Sequence, residues 1–239
     1  LKLVFYKLDI GGGNIRNKLD LDGNGQCEGT VDVANYLAPV VEMFSIHGLC
    51  IDLAAMEPYM VRDGVKVVFY NGYAPRVGPN TIHGEMVGLR TWSVTAWRSG
   101  LSGWADWHFR RETGNKIFYE TNTDIGKTMY VYRGSHIGLD GRLFASLRLK
   151  SMRRGAQDFE MLRLLAMAEG GQARAQAIAA TVCGVGFKDE HVNLSGFQDD
   201  AVGVEKPYVG VDSNAHWSHD PAAWAKFHSM LGEAIAASQ

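Results

Sequence analysis

Tryptophan, aspartate and histidine side chains are concentrated in the short segment Leu101–Phe109. If this segment is a β-strand, side-chain alternation puts Trp104, Asp106 and His108 on one face. Aromatic rings can cover the apolar C–H faces of a sugar, and carboxylates accept hydrogen bonds from its hydroxyl groups. We therefore interpret Trp104, Asp106 and Trp107 as candidate substrate-binding residues.

Three further candidates stand where predicted strands end. Tyr70 and Asn71 close the apolar run Val65–Tyr70, where such side chains can hold a substrate hydroxyl or acetamido group; the alternative is a simple turn at Asn-Gly. Asp9 lies near the end of the run Leu1–Ile10, and its alternative role is that of a cap or a buried partner of an arginine. These positions complete the predicted substrate-binding set.

One polar segment has the spacing of a calcium loop. Asp20, Asp22 and Asn24 match its first three oxygen ligands. The twelfth position, which supplies a bidentate carboxylate in such loops, is Val31, so we interpret the segment as a polar turn without metal. The glycines Gly11–Gly13 do not form a GxGxxG motif, and the sequence contains no GxSxG motif. The residues predict no metal and no cofactor, and they leave the catalytic residues unassigned.

Strand and helix patterns alternate along the chain. Apolar runs predict four strands: Leu1–Ile10, Val65–Tyr70, Leu101–Phe109 and Lys127–Tyr132. Helical periodicity predicts four helices: Leu53–Arg62, Ile82–Arg98, Phe144–Ala168 and Ala222–Ala237. Asp220 is the expected N-cap of the last helix, with Pro221 at its first position. This alternation is typical of a parallel α/β sheet, and nearly continuous apolar runs suit strands that are covered on both faces. The strands Val65–Tyr70 and Leu101–Phe109 should therefore be parallel neighbours, with Ile82–Arg98 as the crossover helix.

The number of units sets the predicted architecture. A complete (β/α)8 barrel has eight strand–helix units, and about four precede residue 170. The sequence thus predicts an α/β fold in which residues 1–170 form the C-terminal part of a (β/α)8 TIM-type barrel. Residues 171–239 form a helical C-terminal extension that contains a long polar loop, Lys188–Gly210.

Composition narrows the classes of partner. The 239 residues carry a net charge of −2, which does not favour nucleic acid or an anionic membrane surface. No apolar run reaches the ~20 residues that cross a bilayer. The three cysteines form no CxxC pair and do not indicate a disulfide framework. The compartment is left open, a secreted or periplasmic protein included.

The chain opens on Leu1, within an apolar run and without a signal-peptide pattern. This beginning is what a processed product or a piece of a longer protein would show. A half-barrel leaves open sheet edges, which proteins rarely leave bare. We therefore expect the partner of this chain to be either a missing N-terminal half of the barrel or another chain.

Four motifs occur in order between residues 65 and 165. They are VVFYNGYAP, LRTWSVTAWRSGLSGWADW, VYRG and SLRLKSMRRGAQDFEMLRLL. In their order and spacing they resemble the domain that closes the barrel in glycoside hydrolase family 123 and its uncharacterised relatives. The last block, which begins at Ser146 and which we call the signature block, is the most specific. Within it, Arg154 and Asp158 are four residues apart, so we expect them to pair along one helix face, and Arg148 could reach toward the barrel mouth.

The resemblance implies a function. In that family an Asp–Glu pair acts upstream of the matched segment: the Asp orients the N-acetyl group of the substrate and the Glu is the general acid/base. The only Asp–Glu dipeptide here, Asp189-Glu190, lies beyond the signature, and we do not give it this role. The expected function is that of the C-terminal portion of a glycoside hydrolase-like protein of β-N-acetylgalactosaminidase type. It would supply the substrate-binding walls for N-acetylhexosamine-containing glycans. The alternative is a non-catalytic carbohydrate-binding or structural subunit of a larger assembly.

Overall fold

The structure is a computed structural model with a mixed α/β fold. It describes residues 42–48, 51, 53–70, 77–78, 85–106, 130–183, 187 and 217–238. Within these ranges the strands are β1 (Met43–His47), β2 (Lys66–Tyr70), β3 (Gly103–Ala105), β4 (Val131–Arg133) and β5 (Leu143–Ala145). The α-helices are α1 (Leu53–Met60), α2 (Gly88–Arg98), α3 (Leu147–Ala166), α4 (Gly171–Ala179) and α5 (Pro221–Ala236).

Strands β1, β2 and β3 form a parallel sheet in the order of the sequence. Helix α1 connects the first pair, and helix α2 connects the second. The prediction that Val65–Tyr70 and Leu101–Phe109 are parallel neighbours joined by a crossover helix is confirmed, although β3 and α2 are shorter than predicted. Strand β1 was not predicted from the sequence.

Both connecting helices cover the same face of this sheet. The register pairs Phe44 with Val67 and Ile46 with Phe69, so these apolar side chains share one face, and all four are buried. The ring of Tyr59 in α1 lies 5.2 Å from that of Phe44, and the ring of Trp92 in α2 lies 5.7 Å from that of Phe69. Burial of this face against α1 and α2 holds the three strands in place.

A second core lies between the helices. It joins residues of α2 with residues of α3, α4 and α5, among them Val94, Leu162, Ala175 and Leu231. Phe159 of α3 packs against both cores, so this helix links the sheet to the C-terminal helices. Helix α4 was not predicted from the sequence, because its residues, which are rich in Ala and Gln, do not form a clear pattern of apolar and polar positions.

The fourth predicted strand does not join the parallel sheet. Strand β4 pairs antiparallel with β5, and Val131 lies opposite Ala145. The connection between them, residues 134–142, is shorter than the dozen or so residues that a parallel crossover needs. Gly138 and Gly141 in this connection have φ of 74°, which suits glycine. Residues 131 and 132 of the predicted strand Lys127–Tyr132 therefore pair outside the parallel sheet, contrary to expectation, and residues 127–129 lie outside the described residues.

The helix starts follow from their capping residues. The Ser146 hydroxyl accepts a hydrogen bond from the backbone N of Leu149 at 3.2 Å, so α3 begins at Leu147 rather than at Phe144. Asp220 caps α5 as predicted, because its carboxylate accepts from the backbone N of Ala222 at 2.8 Å.

The described residues contain no closed barrel. None of the helices in the described ranges is long and apolar enough to cross a membrane. The predicted strand Leu1–Ile10, the polar turn at residues 20–25 and the loop Lys188–Gly210 lie outside the described residues.

Candidate functional site

Asp106 lies at the carboxyl end of strand β3, one residue beyond Ala105. Its side chain is half-buried, and its Oδ2 accepts a hydrogen bond from the phenol of Tyr130. Tyr130 is 3% exposed. The structure therefore joins a partly accessible carboxylate at the sheet edge to a buried donor behind it.

Tyr130 is held in place by the start of helix α3. Its backbone carbonyl accepts a hydrogen bond from the backbone N of Ser146 at 2.8 Å, next to the β4–β5 ladder. Arg148, in the first turn of α3, is 4% exposed, and its charge acts on Tyr130. The end of β3, the start of β4 and the start of α3 thus converge on one polar cluster, which we define as Asp106, Tyr130 and Arg148.

The electrostatics of this cluster fix the role of the phenol. Burial raises the pKa of Tyr130 well above its usual range, and the negative charge of Asp106 and the hydrogen bond to it act in the same direction. The positive charge of Arg148 lowers the pKa of Tyr130 and only partly offsets this effect. Tyr130 is therefore a hydrogen-bond donor across the physiological pH range, not a base or a nucleophile.

Tyr70 is the last residue of β2 and lies beside Ala105 in the register. It is buried, and its backbone carbonyl accepts from the backbone N of Gly48 at 2.8 Å. Parallel strands end at one edge, so Tyr70 and Asp106 belong to the same edge of the sheet. The candidates Asn71, Trp107 and Asp9 lie outside the described residues.

Trp104 lies beside Phe69 in the register, on the face that the helices cover. Its ring packs 5.4 Å from the ring of Phe159 on helix α3, measured between centroids. Its indole N–H points to the sulfur of Met152 at 2.9 Å. The described contacts of Trp104 are therefore with α3.

The signature block places another carboxylate in the interior. Asp158 is fully buried and accepts from Arg90 of α2, at 2.5 Å from Nε and 3.0 Å from Nη2. Its expected partner Arg154 instead donates to Gln157 at 3.3 Å, so the predicted Arg154–Asp158 pair is wrong. The reason is that Asp158 faces α2 across the helix–helix contact, whereas Arg154 is exposed.

Other residues of the signature block also have structural roles. A Cβ at Gly155 would lie 2.7 Å from Ser93 Oγ, so this glycine lets α2 and α3 approach closely. Glu160 is exposed and pairs with Arg163 at 2.8 Å. Only Arg148 of this block belongs to the polar cluster.

Sequence reasoning missed Tyr130 as a member of the site. The motif VYRG begins one residue after it, and nothing in the local pattern links Tyr130 to Asp106, which precedes it by 24 positions. Only their approach in space made the pair visible.

The described ranges contain no group of three or more His, Cys, Asp or Glu side chains that could hold a metal ion. Cys183 is fully buried, and burial raises the pKa of its thiol to about 12. A thiol that stays protonated is a poor nucleophile.

Neither a comparison with protein-family models nor a comparison with curated proteins found a match for this chain.

Proposed function

We propose that this chain supplies the C-terminal part of a glycoside hydrolase-like (β/α)8 barrel that acts on N-acetylhexosamine-containing glycans. In this proposal the carboxyl edge of the sheet forms a wall of the substrate-binding site. The observation that carries it is the half-buried carboxylate of Asp106 at that edge, held by the buried phenol of Tyr130.

The arrangement of the parallel sheet supports the barrel. Three parallel strands follow one another in sequence order, and α1 and α2 cover one face, as do consecutive units of a (β/α)8 barrel. Active sites of such barrels lie at the carboxyl ends of the strands, which is where Asp106 and Tyr70 stand.

The chemistry of the cluster supports a sugar ligand. An ionised carboxylate accepts hydrogen bonds, and the hydroxyl groups of a sugar donate them. Asp106 is the carboxylate for this role, with Tyr70, Asn71 and Trp107 as neighbouring wall residues. Trp104 and Asp9 complete the proposed set. The ring of Trp104 packs against α3, so the alternative to a place in the substrate-binding wall is a structural role for this residue.

The catalytic pair is proposed to come from elsewhere. The resemblance places an Asp–Glu pair upstream of Val65, and the described residues supply three parallel strands of the eight in a complete barrel. Further strands would belong to the N-terminal half of the same protein or to a partner chain. In the alternative proposal, the chain is a non-catalytic carbohydrate-binding or structural subunit, and the same edge binds sugar without hydrolysis.

Calorimetric titration with N-acetylgalactosamine tests the site. The wild-type chain should bind the sugar, and Asp106→Asn should weaken binding by about 1–3 kcal/mol, the range for losing a hydrogen bond to a charged group. Asp140→Asn, which changes an exposed carboxylate in the β4–β5 connection, is the matched control and should bind as the wild type does. Equal affinity of both variants, or no binding by the wild type, would contradict the proposal.

A hydrolysis assay separates the two forms of the proposal. The chain is combined with its N-terminal half or its natural partner and given an aryl N-acetyl-β-galactosaminide. Turnover that is lost in Asp106→Asn supports the glycoside hydrolase. Sugar binding without turnover supports the carbohydrate-binding subunit.

A further inference from the structure

We propose that Tyr130 is a positioning residue, which holds the Asp106 carboxylate ionised and in one orientation so that it accepts hydrogen bonds from a neutral, hydroxyl-bearing ligand. The proposal rests on the proposed function for the identity of the ligand. The arrangement of Tyr130 and Asp106 can be tested without any ligand.

The first step concerns the rotational freedom of the Asp106 side chain. This residue follows the last residue of β3, so the sheet ladder does not fix its side chain. Its Oδ2 accepts from the Tyr130 phenol, which arrives from a different element. A hydrogen bond between separate elements restricts the rotamers of the carboxylate and gives it one direction.

The second step concerns the rigidity of the donor. Tyr130 is buried, and its backbone is tied to Ser146, which caps α3. The neighbouring residue Val131 is paired with Ala145 in the β4–β5 ladder. The backbone of Tyr130 is therefore tied to the end of β5 and the start of α3, and a ligand does not have to order the buried phenol.

The third step concerns charge. A donor that bonds to a carboxylate favours its ionised form, and so does a nearby cation. In this cluster Tyr130, which stays protonated, and Arg148, from the first turn of α3, both act beside Asp106. A carboxylate has about four acceptor sites, so it can accept hydrogen bonds from a phenol and from ligand hydroxyl groups at the same time. Asp106 is thus a binding group rather than a proton donor.

Carbon-13 NMR of the full chain, labelled at aspartate Cγ, tests this directly. The Asp106 signal is assigned from its disappearance in Asp106→Asn. In Tyr130→Phe the midpoint of its titration should move to higher pH, because a donor that favours the charged form is lost. Tyr132→Phe, on the neighbouring strand β4, is the control and should leave the midpoint unchanged. An unchanged midpoint in folded Tyr130→Phe would overturn the proposal.

A second measurement covers the case in which Tyr130→Phe does not fold. In the wild-type chain labelled at tyrosine Cζ, the Tyr130 signal should titrate with the same midpoint as the Asp106 signal, because the phenol reports the charge of its acceptor. Independent midpoints would overturn the proposal.

Sugar affinity then links the positioning role to the proposed function. Tyr130→Phe should bind N-acetylgalactosamine about 3- to 10-fold more weakly, which corresponds to the loss of a typical hydrogen bond. Tyr132→Phe should bind as the wild type does. If neither the wild-type chain nor its variants bind the sugar, the proposed function is contradicted. The NMR titration still decides the role of Tyr130 in that case.

Discussion

The Arg90 guanidinium donates two hydrogen bonds to the Asp158 carboxylate, from Nε at 2.5 Å and from Nη2 at 3.0 Å. Asp158 is fully buried, and His228 of α5 approaches the same carboxylate at 3.2 Å. The Arg90 Cζ lies 4.8 Å from the ring centroid of Trp224 and 5.7 Å from that of Phe227. This one pair therefore connects α2, α3 and α5.

Asp158→Ala should lower the free energy of unfolding by about 3–5 kcal/mol, because it leaves the largely buried Arg90 guanidinium without its counter-charge. Urea unfolding monitored by circular dichroism measures the change. Glu160→Ala is the matched control on the same helix, since its pair with Arg163 is exposed, and its cost should be no more than about 1 kcal/mol. Equal costs for the two variants would show that the buried pair does not support α3.

Gly155→Ala should destabilise the chain even though alanine favours helices. The new Cβ would lie 2.7 Å from Ser93 Oγ and 3.3 Å from the Arg90 carbonyl oxygen, and such overpacking costs about 1–3 kcal/mol. Gly232→Ala in α5 is the control: its Cβ meets no atom within 4 Å, so helix propensity should stabilise it by up to ~1 kcal/mol. Thermal unfolding of both variants shows whether each substitution lowers or raises the melting temperature. A rise in melting temperature for Gly155→Ala would refute the close approach of α2 and α3.

Trp104→Ala tests whether this ring belongs to the core or to the ligand site. Its contacts with Phe159 and Met152 predict a loss of about 2–3 kcal/mol of stability, below the range for a fully buried tryptophan. If those contacts are its whole role, the folded variant binds N-acetylgalactosamine with wild-type affinity in the titration described above. Weaker binding with unchanged stability would instead place Trp104 in the substrate wall.

Cys183 should resist alkylation in the folded chain, because burial raises the pKa of its thiol from 9.0 to about 12. In a Cys27→Ser, Cys50→Ser background, iodoacetamide at pH 8 should label the thiol in urea but not in buffer. Equal labelling rates in both conditions would contradict the burial.

The same thiol gives a pH dependence with a definite sign. The folded pKa is raised, so between pH 9 and 12 the unfolded chain releases a proton that the folded chain keeps. The stability contributed by the protonated thiol is therefore complete below pH 9 and declines as the pH rises toward 12. Cys183→Ala should have a shallower loss of stability over this window in urea unfolding. Identical slopes in the two proteins would count against the shift.

Local patterns were sufficient for several elements of the fold. The apolar run that ends at Tyr70 and the Trp-rich run that contains Asp106 predicted two neighbouring parallel strands, which the register confirms. Asp220 followed by Pro221 predicted the start of α5. These predictions succeeded because side-chain periodicity, caps and connection lengths act within a few residues of the chain.

The sequence by itself determined the α/β alternation, the strand edge that carries Asp106 and the cap of α5. Only the tertiary structure decided that β4 pairs with β5, that Asp158 pairs with Arg90, and that Tyr130 donates to Asp106. Arg90 and Asp158 are 68 positions apart, and Tyr130 and Asp106 are 24 apart. Spacing along a chain does not encode such contacts, because they depend on how helices and strands pack. Local propensity acts only between near neighbours, whereas burial selects partners from the whole chain.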